Sequence, residues 1–226
     1  MAAPPTSRPP LDLYVILDPA ASGDADLATL ADQVLAAGGR WIQLRAKEAT
    51  TRELAGLARR VGERVRAAGG VFLVNDRLDV ALAIGADGVH LGQDDLAVQD
   101  ARRLAPGLVV GASTHSLDQA RRAQAEGADY VALGSIFPTG SKPSFQLVGL
   151  EMLRLCRPHV TVPLVAIGGI TPERVPAVLA AGADGVAVIS AIGMAPDPGG
   201  ATRAFLAAFR QARPARHLDS SWRGAP

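Results

Sequence analysis

The segment VFLVNDRLDVALAIGADGVHLGQDD, residues 71–95, holds two apolar strand patterns, and each runs out into a loop that bears carboxylates. Val71–Val74 ends in Asn75-Asp76. Gly88–Leu91 ends in Gly92-Gln93-Asp94-Asp95, and between the two Leu78, Ala81 and Leu82 recur at helical spacing. Strand, helix, strand with a connection of this length implies parallel pairing, which sets both strand exits on one side of the sheet. Asp76 and Asp95 then face one another across neighbouring loops. Two carboxylates from two loops suit Mg²⁺, which keeps several waters and adds substrate phosphate oxygens to one or two protein ligands. The same residues also serve as helix caps, so this stretch by itself leaves both uses open.

Working outward, the plan repeats. Leu13–Leu17 is a buried strand followed by Leu27, Leu30, Ala31, Val34 and Leu35 on one helical face. Trp41–Arg45 is the second strand, and its helix opens with the capping box Thr50-x-x-Glu53. After the two units of the segment above come Leu108–Ser113 with a helix from Ser116-x-x-Gln119, then Tyr130–Gly134 with a long loop and Leu147–Leu155. Pro163–Gly168 follows, with Thr171-Pro172 as N-cap and first helical residue, and last Gly185–Ser190 with a helix around Phe205 to Phe209. GGRWIQLR (38–45), GADGVHLG (85–92), GADYVALG (127–134) and GADGVAVI (182–189) align without gaps, each ending one helix at a C-cap glycine and entering the next even-numbered strand. Eight strand-helix units predict an α/β fold, a single-domain (β/α)₈ TIM barrel over residues 11–212. A doubly wound open sheet also alternates these elements but does not call for eight full units. Residues 1–10 are expected to be a flexible leader and 213–226 a polar, flexible tail.

Composition narrows the function. The chain has 226 residues, 48% of them hydrophobic, and a formal net charge of +1. That balance gives no bulk attraction to nucleic acid or a membrane surface, so any cationic site is local. Cys156 is the single cysteine, which rules out an internal disulfide, and its place among Leu150, Leu153 and Leu155 marks it as core. No apolar run reaches transmembrane length and the first residues lack an apolar signal core, so a cytoplasmic location is expected.

Active sites of such barrels lie at the carboxyl ends of the strands. Gln43 and Arg45 point to the same side of the second strand and Lys47 continues the row, which makes an anion site at the barrel mouth. Ile42 and Leu44 mark the opposite side as buried. After the sixth strand, SIFPTGSKPSFQ carries Thr139, Ser141 and Lys142 around Gly140, groups that wrap phosphate oxygens although the pattern is weaker than a P-loop. Gly168-Gly169 and Ile189-Ser190 end the seventh and eighth strands, where many barrels hold a phosphate monoester on backbone N–H groups. His90 is expected to be a hydrogen-bonded interior histidine, with Ser113 and His115 better placed for substrate.

Taken in order, Gln43-x-Arg45-x-Lys47, Asn75-Asp76, GVHLGQDD, Ser113-x-His115, Pro138-Thr139-x-Ser141-Lys142, Ile167–Ile170 and GADGVAVISAI closely resemble the thiamine phosphate synthase family, over about Leu11 to Phe209. The resemblance implies a transferase that joins 4-amino-2-methyl-5-pyrimidinylmethyl diphosphate to 4-methyl-5-(2-phosphoethyl)thiazole, or its carboxylated tautomer, releasing pyrophosphate through a dissociative step. By position it implies that Asp76 and Asp95 hold Mg²⁺, and that Gln43, Arg45, Lys47, Asn75, Ser113 and Lys142 contact the pyrimidine diphosphate. Among these, Arg45, Ser113 and Lys142 would act on the reacting groups. Thr139, Ser141, Gly169, Ile189 and Ser190 fall where the family binds the thiazole phosphate. Two departures stand out. Ala46 occupies a position where relatives commonly carry an acid, which puts the anchoring of Arg45 in question, and Ser141 replaces the commoner threonine. Rival expectations are a thiazole tautomerase of the same barrel type, using a group such as His115 for proton transfer, and a non-catalytic barrel that binds phosphorylated metabolites.

Overall fold

A computed structural model describes residues 8–23, 25–140 and 146–213. Most of the expected leader and tail, and Ser141 and Lys142, lie outside the described residues. Among those described, eight parallel strands close in sequence order: β1 (Leu13–Leu17), β2 (Trp41–Leu44), β3 (Val71–Asn75), β4 (Gly88–Leu91), β5 (Val109–Thr114), β6 (Tyr130–Gly134), β7 (Leu164–Ile167) and β8 (Gly185–Val188). The pairing of Leu13 with Val186 and of Val15 with Val188 joins the first strand to the last. The helices are α1 (Leu27–Ala36), α2 (Thr51–Ala67), α3 (Leu78–Ile84), α4 (Val98–Leu104), α5 (Leu117–Ala125), α6 (Gly149–Cys156), α7 (Val175–Ala180), α8 (Ser190–Gly193) and α9 (Pro198–Ala212). The expected barrel is therefore present. Two local readings need correction. Thr171-Pro172 opens a 3₁₀ turn, Pro172–Arg174, and the helix proper starts at Val175. The eighth unit carries a short extra helix, α8, before α9.

Period-two alternation along the strands sorts side chains into two cores. Val15, Leu17, Ile42, Leu44, Val74, Val89, Val110 and Val131 face outward and pack under the helices. Tyr14, Ile16, Trp41, Leu73, Val109, Tyr130, Val165 and Ala187 face inward and fill the bore. Each fully buried Val or Leu of these layers contributes roughly 1.5–3 kcal/mol relative to exposure. Gly111 faces inward opposite Tyr130, and a Cβ there would sit 2.1 Å from the Tyr130 ring, so the glycine makes room for the tyrosine.

The repeat has a physical cause. Gly38, Gly85, Gly127 and Gly182 all adopt positive φ, between 65° and 106°, as helix-ending glycines do. Two residues on, Asp87, Asp129 and Asp184 each accept a backbone N–H of the preceding strand, from Phe72 (2.8 Å), Val110 (2.7 Å) and Leu164 (2.8 Å). Asp129 and Asp184 are also paired with Arg102 and Arg157. These contacts lie at the amino ends of the strands, opposite the functional rim, and fix where β4, β6 and β8 enter. At the same end Trp41 Nε1 donates to the Pro9 carbonyl at 3.0 Å, and Arg213 pairs with Asp12.

Candidate active site

The β3 and β4 exits carry the carboxylates. Asp76 adopts φ +62°, a left-handed conformation that Asp tolerates better than most residues, and its N–H donates to the His90 carbonyl at 2.8 Å. Neither carboxylate caps a helix. The residue preceding α3 is Arg77 and that preceding α4 is Ala97, each without a side-chain cap. Asp95 instead accepts the Gly92 N–H at 2.7 Å, closing its own turn. The cap alternative thus drops away, and the two carboxylates stand within hydrogen-bonding reach of each other. Burial, and then the Asp95 carboxylate beside it, push the Asp76 pKa above the ordinary carboxyl range. Lys47, 3.2 Å away, pulls in the opposite direction. A dyad of like charges that raises its own protonation is what a bound dication would relieve, and two oxygens from adjacent loops fit Mg²⁺ better than a metal needing a closed protein cage. Among the described residues no group of three or more His, Cys, Asp or Glu is placed to hold a metal.

Beside the dyad, Gln43 and Arg45 face the bore as the alternation predicts. Arg45 is ion-paired with Asp18, whose side chain is only 5% exposed. Asp18 follows directly on β1 and also accepts the Ala20 N–H at 3.0 Å. Ala46 is partly buried against the outer core, so the carboxylate that anchors Arg45 comes from β1. Sequence reading missed Asp18, although an acid at the first residue beyond a barrel strand is a signal of the kind used for the other exits.

The other half of the rim opens into a cavity of about 460 Å³, lined by Ser113, His115, Thr139, Gly168, Gly169, Ile189 and Ser190 among others. Ala132, Ile167, Ala187 and Val188 give this cavity apolar walls beside its polar groups. The expected site residues therefore fall into two neighbouring groups. Gln43, Arg45, Lys47, Asn75, Asp76 and Asp95 sit on the β2–β4 exits, and Thr139, Gly169, Ile189 and Ser190 on the β6–β8 exits, with Ser113 of β5 between. Gly168 and Gly169 have φ of +103° and +60°. A Cβ on Gly169 would lie 2.3 Å from the Pro138 carbonyl, so the glycine lets the chain after β6 approach. Arg174 secures this corner, donating to the Gly169 carbonyl and stacking 4.4 Å over the Phe137 ring. His115 is held by its ring nitrogen on the Gly134 carbonyl, and its N–H donates to Gln119 at 2.7 Å.

Beneath both groups lies a buried polar layer. The Gln43 amide reaches the Tyr14 hydroxyl at 2.6 Å, and the Tyr14 and Tyr130 hydroxyls are 2.9 Å apart. His90 Nδ1 is 2.8 Å from the Tyr130 hydroxyl and its Nε2 is 2.8 Å from Ser113 Oγ. His90 is thus the hydrogen-bonded interior residue that its flanks suggested. The tyrosines went unremarked in the sequence because, inside an apolar strand, a tyrosine reads as core.

The chain matches the family model described as thiamine monophosphate synthase over residues 13–192. It is 47% identical over 207 residues to the thiamine-phosphate synthase of Moorella thermoacetica, covering 91% of this chain and 99% of that one. To the thiamine-phosphate synthase of Methanoculleus marisnigri it is 52% identical over 183 residues, covering 80% and 87%. Among solved structures, a thiamine phosphate pyrophosphorylase from Pyrococcus furiosus superposes with a TM-score of 0.83 at 40% identity, covering 89% of this chain and 96% of that one. With its fold and its relatives in agreement, the chain belongs to the thiamine monophosphate synthase family.

Proposed function

We propose that this protein is a transferase that condenses 4-amino-2-methyl-5-pyrimidinylmethyl diphosphate with 4-methyl-5-(2-phosphoethyl)thiazole, or its carboxylated tautomer. The products are thiamine phosphate and pyrophosphate, together with carbon dioxide when the carboxylated thiazole is the substrate. The observation that carries this reading is the division of one barrel mouth into a charged half and an apolar, phosphate-suited half that meet at Ser113. In this reading Arg45 and Lys47 bind the diphosphate, Gln43, Asn75 and Ser113 seat the pyrimidine, and Lys142 adds a further cation. Thr139, Ser141, Gly169, Ile189 and Ser190 take the thiazole phosphate. Asp76 and Asp95 hold Mg²⁺, which when bound offsets the negative charge gathering on the departing diphosphate.

In the reaction the carbon–oxygen bond of the pyrimidinylmethyl diphosphate breaks with its electron pair leaving on oxygen, and the thiazole nitrogen lone pair closes the new carbon–nitrogen bond. No protein nucleophile takes part. Arg45, fixed by Asp18, faces the departing group without having to reorganise, which is where an electrostatic contact lowers the barrier most. The apolar walls keep water from the electrophilic carbon while the second ring is held in line. Among the described residues no helix is long and apolar enough to cross a membrane. We propose a cytoplasmic place of action, on small phosphorylated partners.

The test mixes purified protein, both phosphorylated substrates and Mg²⁺, and reads thiamine phosphate by chromatography. Product formation is expected. Interconversion of the thiazole tautomers with no coupled product would replace this reading with the tautomerase one, and binding of either ligand without turnover would leave a binding protein.

A further inference from the structure

The five polar groups under the site form a chain across the bore, Gln43 (β2), Tyr14 (β1), Tyr130 (β6), His90 (β4) and Ser113 (β5), linked by contacts of 2.6–2.9 Å. Gln43, Tyr14 and Tyr130 are 1% exposed or less and His90 is 6% exposed, so water does not interrupt the chain. Burial pushes both tyrosine hydroxyls well up, so each keeps its single proton. A neutral imidazole likewise carries one N–H and one lone pair. The links are therefore not independent. If the Gln43 amide donates to Tyr14, full pairing makes Tyr14 donate to Tyr130, Tyr130 to Nδ1, and Nε2–H to Ser113, which leaves the serine hydroxyl proton to the site. If Ser113 donates to Nε2 instead, every link reverses, and the chain ends with Tyr14 donating to the Gln43 amide oxygen. In both senses one end offers the site a donor and the other an acceptor.

Both ends reach the mouth. Ser113 lines the cavity. Tyr14 is the hydrogen-bond partner of Gln43, and no buried side-chain nitrogen or oxygen among the described residues lacks a partner, so the other amide atom of Gln43 borders open space. We propose that Tyr14, Tyr130 and His90 are positioning residues, a proton-ordered relay that couples Gln43 to Ser113 and makes the pyrimidine half-site specific for a ring presenting a donor group on one edge and an acceptor nitrogen on the opposite edge. A 4-aminopyrimidine has that pattern, the amino N–H across the ring from N1. The inference rests on the reading of Gln43 and Ser113 as pyrimidine contacts.

A chain of this kind is broken by one cut, and two cuts do no further harm. The experiment measures steady-state kinetics of Tyr14→Phe, Tyr130→Phe and the double variant in the Mg²⁺-loaded enzyme, with the natural pyrimidine diphosphate and with its analogue lacking the 4-amino group. Each single variant should raise KM for the natural pyrimidine diphosphate about tenfold and leave KM for the thiazole phosphate unchanged, and the double variant should match the singles. Removing the amino group should cost wild type about tenfold more in KM than it costs Tyr130→Phe, although that hydroxyl does not touch the ligand. Phenylalanine keeps the ring packing, and thermal melts of each variant verify folding. Additive effects in the double variant, or an equal cost of the missing amino group in wild type and Tyr130→Phe, overturn the relay. Gln43→Ala and Ser113→Ala separate the two failures. If they leave the pyrimidine KM unchanged, the site reading itself is wrong; if they raise it while the tyrosine variants do not, only the relay is.

Discussion

Arg45 at the end of β2 is held by the carboxylate of Asp18, the first residue beyond β1, so the main cation of the rim is aimed by a neighbouring strand. Asp18→Asn keeps an oxygen for the Ala20 N–H but removes the charge. We expect KM for the pyrimidine diphosphate to rise roughly tenfold or more, since loss of one member of a half-buried pair frees its partner to reorient. The KM for the thiazole phosphate should stay put. Varying each substrate in turn measures both, and an unchanged pyrimidine KM would remove Asp18 from the site.

Asp76 yields a prediction about stability as well as activity. Its folded pKa is raised by burial and by Asp95, so the fold binds this proton more tightly than the unfolded chain does. Such a carboxyl favours folding at low pH, and that advantage is lost as pH rises from the ordinary Asp value through the raised one. At neutral pH the metal-free protein therefore carries an electrostatic cost. Asp76→Asn should melt a few degrees above wild type in chelator at about pH 7, consistent with a gain of about 1 kcal/mol or less, and should be inactive. Mg²⁺ should raise the melting temperature of wild type and do little for the variant. Equal metal responses would exclude Asp76 as a ligand.

Product formation should need a divalent ion, and the two halves of the rim should respond differently to truncation. Asp95→Ala is expected to lower kcat about 10²-fold or more, because negative charge develops on the departing diphosphate beside this residue. Ser190→Ala should chiefly raise KM for the thiazole phosphate, whose charge is the same before and during reaction. Full turnover after exhaustive chelation, or a collapse of kcat in Ser190→Ala alone, would contradict these roles.

Gly169→Ala meets both a positive φ and a Pro138 carbonyl 2.3 Å from the new methyl. The strain and the forced shift of the 137–138 backbone should cost roughly 1–3 kcal/mol of stability. Since the shift moves a wall of the cavity, KM for the thiazole phosphate should rise with little change for the pyrimidine diphosphate. Denaturant melts and kinetics check the two effects separately.

The barrel was legible because its period-two strands, period-3.6 helices and the glycine-ended repeat all agree. Strand exits were legible for the same reason, which is how Asp76, Asp95, Arg45 and Ser190 were picked out. What the sequence hid were partnerships across the bore. Nothing local ties Asp18 to Arg45, 27 positions away, or Tyr14 to Tyr130, 116 positions away, because closure of the ring creates those contacts. Gly111 shows the limit most clearly. Its reason is the Tyr130 ring on the next strand, and no rule of spacing reveals a glycine that exists to accommodate a neighbour. Whether Asp76 and Asp95 cap helices likewise stayed open until the helix starts were seen to lack side-chain caps there.

Tyr14, Trp41, Tyr130 and His90 meet edge to face or stacked, with ring centroids 5.6–6.5 Å apart, and they plug the bore. Among the described residues the bore is therefore closed by side chains below the rim, and the cavity opens at the carboxyl ends of the strands. In the arrangement proposed above the pyrimidine rests on that plug beside its partner, so both rings enter from the same end of the barrel. The joined product occupies both seats at once, and it must leave by that same end before either can be filled again.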